Sequence, residues 1–275
     1  MKKLQEVVPS SQDHWVGDGF PVRTLFSHGS EAARFSPFLM LDYGGPMDFD
    51  ATDSQRGVES HPHRGFETVT VIYHGEIGPG DVQWMTAASG IIHEEFHARS
   101  YAQTGGALEM AQLWVNLPAR YKMTAPRYQS LRNAHIPVVA LNEDSGYVRV
   151  IAGELQGHRG PAQTFTPVNL WDVSLRAGKC VHLPIQAGHT ALLALLHGEV
   201  VINDEQQARE ISLLVFSREG SDIVLKAGRD ATILLMSGEP IDEPVATYGP
   251  FVMNTAQELQ QAVTDYRSGK MGRIA

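Results

Sequence analysis

Glycine or proline interrupts this 275-residue chain every few positions, 26 of the former and 15 of the latter. Long helices are hard to build through such punctuation, because glycine loosens the intrahelical ladder and proline breaks it. Between the breaks lie short runs rich in Val, Ile, Thr, Phe and Tyr, among them ETVTVIYHGEI, GDVQWMTA, EMAQLWVNL, GYVRVIAGEL, ISLLVFS and DATILLMSG. Runs of this kind, bounded by turn formers, read as strands, so the chain is predicted to be all-β. One segment departs from the rhythm. In NTAQELQQAVTDYRSGK, Thr255 and Glu258 form a capping box, Leu259, Val263 and Tyr266 share a helical face, and Gly269 supplies the stop. A C-terminal helix docked against the sheets is expected.

The segment NLPARYKMTAPRYQSLRNAHIP carries Pro118, Pro126 and Pro137 without alternation, and reads as the connection between two β-rich halves. The division is placed at residues 1–134 and 135–275. The halves resemble two copies of one unit. VTVIYHGEI is echoed by ALLALLHGEV, His74-Gly75-Glu76 recurs as His197-Gly198-Glu199, and that register sets Gly65 on Gly188.

Charge narrows the partners. Lys+Arg total 22 against 31 Asp+Glu, a formal net charge of -9, which is unsuited to gripping nucleic acid or an anionic membrane. The run after Lys2 and Lys3 is broken by Gln5, Glu6 and Pro9, and the most apolar stretch, TALLALLHGEVVI, is interrupted at His197 and Glu199, short of the ~20 residues a membrane helix needs. A single cysteine, Cys180, excludes an intrachain disulfide and suits a reducing, cytoplasmic setting. Without a neighbouring histidine or second cysteine, Cys180 reads as a small buried residue.

The densest chemistry lies in HPHRGFETVTVIYHGE. On an extended strand side chains alternate faces, so His61, His63 and Glu67 share one face while Pro62, Arg64 and Phe66 share the other. In GIIHEEF, His93 and Glu95 again share a face and Glu94 takes the opposite one. If the two strands pair, three imidazoles and one or two carboxylates converge. That donor set suits a first-row ion, iron, manganese, nickel, copper or zinc, with no thiolate to favour a closed structural zinc site. An octahedral ion held by four protein ligands keeps two open positions, the arrangement of a catalytic metal. Trp84, Met85 and Trp114 lie on strands near these residues and read as core packing or as the lining of a pocket for an aromatic ligand. In the register of the repeat, His61, His63 and Glu67 correspond to Pro184, Gln186 and Thr190, and His93 and Glu95 to Leu225 and Ala227, so the second half lacks a metal set. His182, His189 and His197 do not reproduce a strand-face pair and read as surface or packing residues.

At these positions the chain resembles the pirin family, whose N-terminal signature stands here as HPHRGFET at His61–Thr68, GDVQWMTA at Gly80–Ala87 and HEE at His93–Glu95. SPFLMLDYGGP, QLWVNLP and GPFVMNT extend the resemblance over nearly the whole chain. It implies a bicupin, two jelly-roll β-barrels in tandem, with one divalent ion, iron(II) foremost, held by His61, His63, His93 and Glu95 in the N-terminal barrel. Glu67, a ligand in many other cupins, is then expected outside the metal's immediate contacts, orienting an imidazole. The connection between Glu76 and Gly80 is shorter than in most of the family, which would leave the mouth of the site more open.

The resemblance further implies quercetin 2,3-dioxygenase-like activity, with a flavonol and O2 as substrates and Glu95 as the catalytic base. The alternative it implies is a metal-dependent regulatory protein, binding a transcription factor or a metabolic enzyme through a surface around Arg64 that responds to the iron's charge. A third option keeps the site for another phenol or for an isomerisation. Since each barrel has a homologous neighbour in the same chain, a monomer is expected.

Overall fold

The computed structural model describes residues 1–29, 32–75 and 78–272. Strands are the dominant regular structure, as the punctuation predicts, and the chain divides into two β units. The connection between Glu76 and Gly80 runs through positions 76 and 77, so its length and shape lie outside the described residues, as does Glu76 of the repeated tripeptide.

A linear cut at residue 134 does not describe these units. One comprises Met1–Ser11, Phe35–Pro37 and Ala134–Pro240, and the other Gln12–Arg34, Phe38–Asn133 and Ile241–Ala275, so both ends of the chain belong with the opposite half. Hydrogen bonding and apolar packing account for the exchange. Leu4–Pro9 pairs antiparallel with Ser212–Phe216 as an edge strand, and Leu4 and Val7 pack on that unit's core. The fully buried Lys2 fastens it further, its Nζ donating to the carbonyls of His189 (3.0 Å), Ser217 (3.2 Å) and Arg218 (2.8 Å).

The unit built mainly from the second half has the order Leu4–Pro9, Ser212–Phe216, Thr190–Ile202, Asp222–Gly238, Val168–Leu175, Gly146–Ala152, Val138–Ala140, with Cys180–Pro184 and Gln206–Arg209 added at the side. Its interior is filled by Trp171, Leu193, Leu195, Leu214, Ile223, Leu225, Ile233 and Leu235. Leu225 and Ala227, which the repeat sets opposite His93 and Glu95, belong to this apolar core, while Pro184 and Gln186 are exposed. Cys180 is exposed, against the expectation of burial. It lies on a strand that alternates exposed and buried positions, and its side chain falls on the outer face.

The other unit carries a seven-stranded sheet in the order Arg127–Leu131, Val82–Thr86, Phe66–His74, Gly106–Asn116, Phe38–Phe49, Phe20–Phe26, His14–Val16. Gly57–His63 and Ile91–Phe96 form a separate antiparallel pair. Arg127–Leu131, expected to be part of a connection, pairs in register with Val82–Thr86, because Pro118, Pro126 and Pro137 flank the pentapeptide RYQSL without entering it. The C-terminal helix, Ala256–Arg267, forms as the capping box predicts: the Glu258 amide donates to Thr255 Oγ1 at 3.2 Å, and the Asn254 amide to Glu258 Oε2 at 3.0 Å. Leu259, Ala262 and Val263 pack with Phe251, Met271 and Ile92. Among the described residues no helix is long and apolar enough to cross a membrane.

Candidate metal centre and its cavity

Strand pairing decides where the histidines meet. His61 stands opposite His93 in the Gly57–His63/Ile91–Phe96 ladder, and His63 stands opposite Ile91. Ring centroids lie 4.3 Å apart for His61 and His93, 4.8 Å for His61 and His63, and 4.9 Å for His63 and His93. One ring nitrogen of each lies within 4.8 Å of the others. Among the described residues, this is the one group of three such side chains close enough to hold a metal ion. Glu95 Oε2 stands 3.9 Å from His61 Nε2, and its Oε1 accepts from Gln112 Nε2 at 2.9 Å.

The unsatisfied nitrogens test whether a metal fits. His63 Nδ1 and His93 Nε2 are buried with no hydrogen-bond partner, while His61 Nδ1 lies 2.8 Å from the Glu59 carbonyl. As a donor there, His61 leaves its Nε2 lone pair toward Glu95. Burial and the neighbouring imidazoles of His93 and His61 hold His63 well below the ordinary histidine range. Burial and His61 bring His93 down to about 4. Both rings therefore stay neutral at physiological pH, the form that binds a metal. Three imidazoles with a carboxylate beside them fit a first-row divalent ion. Burial also raises the proton affinity of Glu95, against the opposing pull of His61 and Gln112.

Behind the ligand strand the chain is braced. Gly65 turns with φ of 88°, and a Cβ there would fall 1.9 Å from the Val252 carbonyl oxygen, so glycine is required. Lys122, buried and lowered to about 7 by desolvation, donates to the Gly65 carbonyl (2.6 Å), Asn116 Oδ1 (2.6 Å) and the Val252 carbonyl (3.0 Å). Arg64 donates through Nη1 to Asp265 Oδ2 at 2.9 Å and through Nε to the Ser89 carbonyl at 2.7 Å. Arg64 is thus buried in an ion pair with the C-terminal helix.

Glu67 lies elsewhere than expected. Along Phe66–His74 the cavity is lined by Thr68, Thr70 and Ile72, so the alternating Glu67 points to the opposite face, where it accepts from Thr86 Oγ1 at 2.7 Å. The parity argument from His61 fails because Gly65 separates two strands of different sheets. Trp84 is wholly buried and does not line the cavity, whereas Met85 does. Trp114 packs against His63, Phe66 and His28.

His93 and Glu95 line a cavity of about 380 Å³, within the range of small-molecule sites. Val22, Ile72, Met85 and Met110 form apolar walls, and Asp42, Thr70, Gln83, Gln112, Glu95 and Tyr128 supply polar groups. Sequence reasoning missed Gln112, Asp42 and Tyr128. Tyr128 falls in a segment whose flanking prolines mask a strand, and Asp42 and Gln112 are lone polar residues among apolar neighbours, a signal too common to single out.

Comparison with known proteins agrees with this geometry. Residues 19–115 match the family Pirin, and residues 170–272 match the Pirin C-terminal cupin domain. A Pseudomonas aeruginosa protein named "Putative quercetin 2,3-dioxygenase PA2418" is 49% identical over 285 residues, covering 99% of each chain. Pirin of Mus musculus is 36% identical over 292 residues, covering 99% of this chain and 96% of its own. The crystal structure of a quercetin 2,3-dioxygenase from Acinetobacter baumannii matches with a TM-score of 0.97 at 46% identity, covering 100% of both chains. Two cupin units, a histidine cluster in the one that carries His61–Thr68, and similarity along the full length all converge: this chain belongs to the pirin family.

Proposed function

We propose that this protein is a metal-dependent dioxygenase of the quercetin 2,3-dioxygenase type, with His61, His63, His93 and Glu95 holding one iron(II) ion and a flavonol and O2 as substrates. The observation that carries this reading is the convergence of three imidazoles beside a largely apolar cavity of about 380 Å³ that His93 and Glu95 line. The bound ion supplies a Lewis-acid anchor for a substrate oxygen and a redox partner for dioxygen. Around it the chain contributes position and proton transfer. The Glu59 carbonyl fixes the ring of His61, and Gln112 fixes one oxygen of Glu95. Glu95 Oε2 is left to take the proton of the flavonol hydroxyl and to return it to the product. Met85, Met110 and Ile72 restrict water around the substrate rings.

Aerobic incubation of quercetin with iron-reconstituted protein tests the reading. Flavonol absorbance should fall faster than by autoxidation and faster than with His63→Ala. Turnover equal to that of the variant would contradict it.

A further inference from the structure

The cavity floor is striped across its strands. Thr24, Asp42, Gln112, Thr70 and Gln83 are successive register partners on five neighbouring strands. Four of them, Asp42, Gln112, Thr70 and Gln83, line the cavity. The adjoining row toward one end is apolar, with Val22, Met110 and Ile72. A polar belt thus crosses a greasy chamber. Within it Gln112 is committed to Glu95 at 2.9 Å. Asp42 sits one strand further, about 4.8 Å along the sheet.

Asp42 is only 6% exposed, and its Oδ1 accepts from Thr24 Oγ1 at 2.6 Å. Among the described residues no lysine or arginine pairs with it, and burial raises its proton affinity against the opposing pull of Thr24 and His14. A carboxyl group desolvated in this way costs stability unless something in the cavity engages it. We infer that Asp42 is a specificity-determining residue, accepting a hydrogen bond from a second phenolic hydroxyl of the substrate, distinct from the oxygen presented to the histidines. This rests on the proposed flavonol reading and adds to it the class selected: aromatic substrates carrying a further ring hydroxyl that reaches the belt. An acceptor already placed and largely desolvated discriminates against a ligand that lacks the donor, since such a ligand displaces cavity solvent without a partner for the carboxyl oxygen that Thr24 does not hold.

Binding without turnover tests the inference. Iron(II)-loaded protein, kept free of dioxygen, is titrated with quercetin and with 3-hydroxyflavone, which keeps the metal-binding hydroxyl and lacks the ring hydroxyls. Wild type should prefer quercetin by about 10-fold to 100-fold. Asp42→Leu should reduce the ratio to within about twofold while leaving 3-hydroxyflavone affinity unchanged or improved. Asp42→Asn, which can retain the Thr24 contact, should give an intermediate ratio and guards against a packing artefact in the leucine variant. An unchanged ratio in both variants overturns the role of Asp42 and leaves the dioxygenase reading intact, as does equal binding of the two flavonols to wild type. Absence of binding for either flavonol overturns the flavonol reading and this inference with it.

Discussion

Asp265→Ala should weaken both the fold and the metal centre, although Asp265 stands 201 positions beyond the Arg64 it holds. The two side chains are 4% and 10% exposed with a 2.9 Å contact, so little solvent screens them. At an effective dielectric near 20, opposite charges about 4 Å apart attract by about 4 kcal/mol, and removing one partner of a buried pair costs about 3–5 kcal/mol because the other charge is stranded. Gln261 and Lys270, which also bond Asp265, lose their partner as well. At about 2–4 °C per kcal/mol, the melting transition of the unit should fall by roughly 10 °C. The loss should also reach the metal. The Arg64 amide donates to the Pro250 carbonyl and the Arg64 carbonyl accepts from Val252, so the strand following His63 is clamped by the same C-terminal segment. Loss of such outer support lowers metal affinity by about 10-fold to 100-fold in comparable sites. Thermal unfolding and a chelator competition read the two effects, and Asp265→Asn should fall between. A variant melting within about 1 °C of wild type, with unchanged affinity, would refute the claim that the helix braces the site.

Glu95→Gln should keep much of the metal, since three imidazoles remain, yet lose about 10²–10⁴-fold in quercetin turnover, the usual contribution of a general base. Equal losses of metal and activity would count against the base role. Glu67→Gln should leave metal content and turnover near wild type, because Glu67 faces away from the cavity. Burial raises the Glu67 pKa from 4.5 to about 7, so the native fold binds this proton more tightly than the unfolded chain and stability from this group falls as pH rises between those values. Glu67→Gln should accordingly be stabilising relative to wild type at pH 8 and near neutral in effect at pH 4, as denaturant titrations would show. Asp265 has the opposite sign: bonding to Arg64 lowers it from 3.8 to about 2, so its stabilisation is complete above pH ~4 and disappears as pH falls through 2. Wild type and Asp265→Asn should converge in stability there.

Much of the site could be read from strand alternation alone. His61 with His63, and His93 with Glu95, are pairs on short extended runs, and antiparallel pairing then brings His61 across from His93. Alternation carries parity only along one strand, so it does not extend past the Gly65 turn to Glu67. The pentapeptide 127–131 was lost for a related reason: its alternation is real, intermediate and exposed residues ending in buried Leu131, but five residues between prolines are too few to register. The exchange of chain ends was not legible at all. Nothing local in Leu4–Pro9 or Phe251–Met253 states which half it joins, since the choice depends on edge positions and apolar faces formed by distant segments. Asp265 shows the same limit, because a charged residue on an amphipathic helix reads as solvent-facing until the buried Arg64 is seen opposite it.

A single metal site at His61, His63 and His93, in the unit that carries the cavity, underlies the proposed chemistry. Elemental analysis of reconstituted, desalted protein tests it most directly, with wild type beside a His61→Ala, His93→Ala double variant and with folding verified by circular dichroism. One transition-metal ion per wild-type chain is expected, and less than about a tenth of that in the variant, whose remaining single imidazole cannot retain the ion through desalting. Two tightly held ions per chain, or full occupancy in the folded double variant, would contradict it.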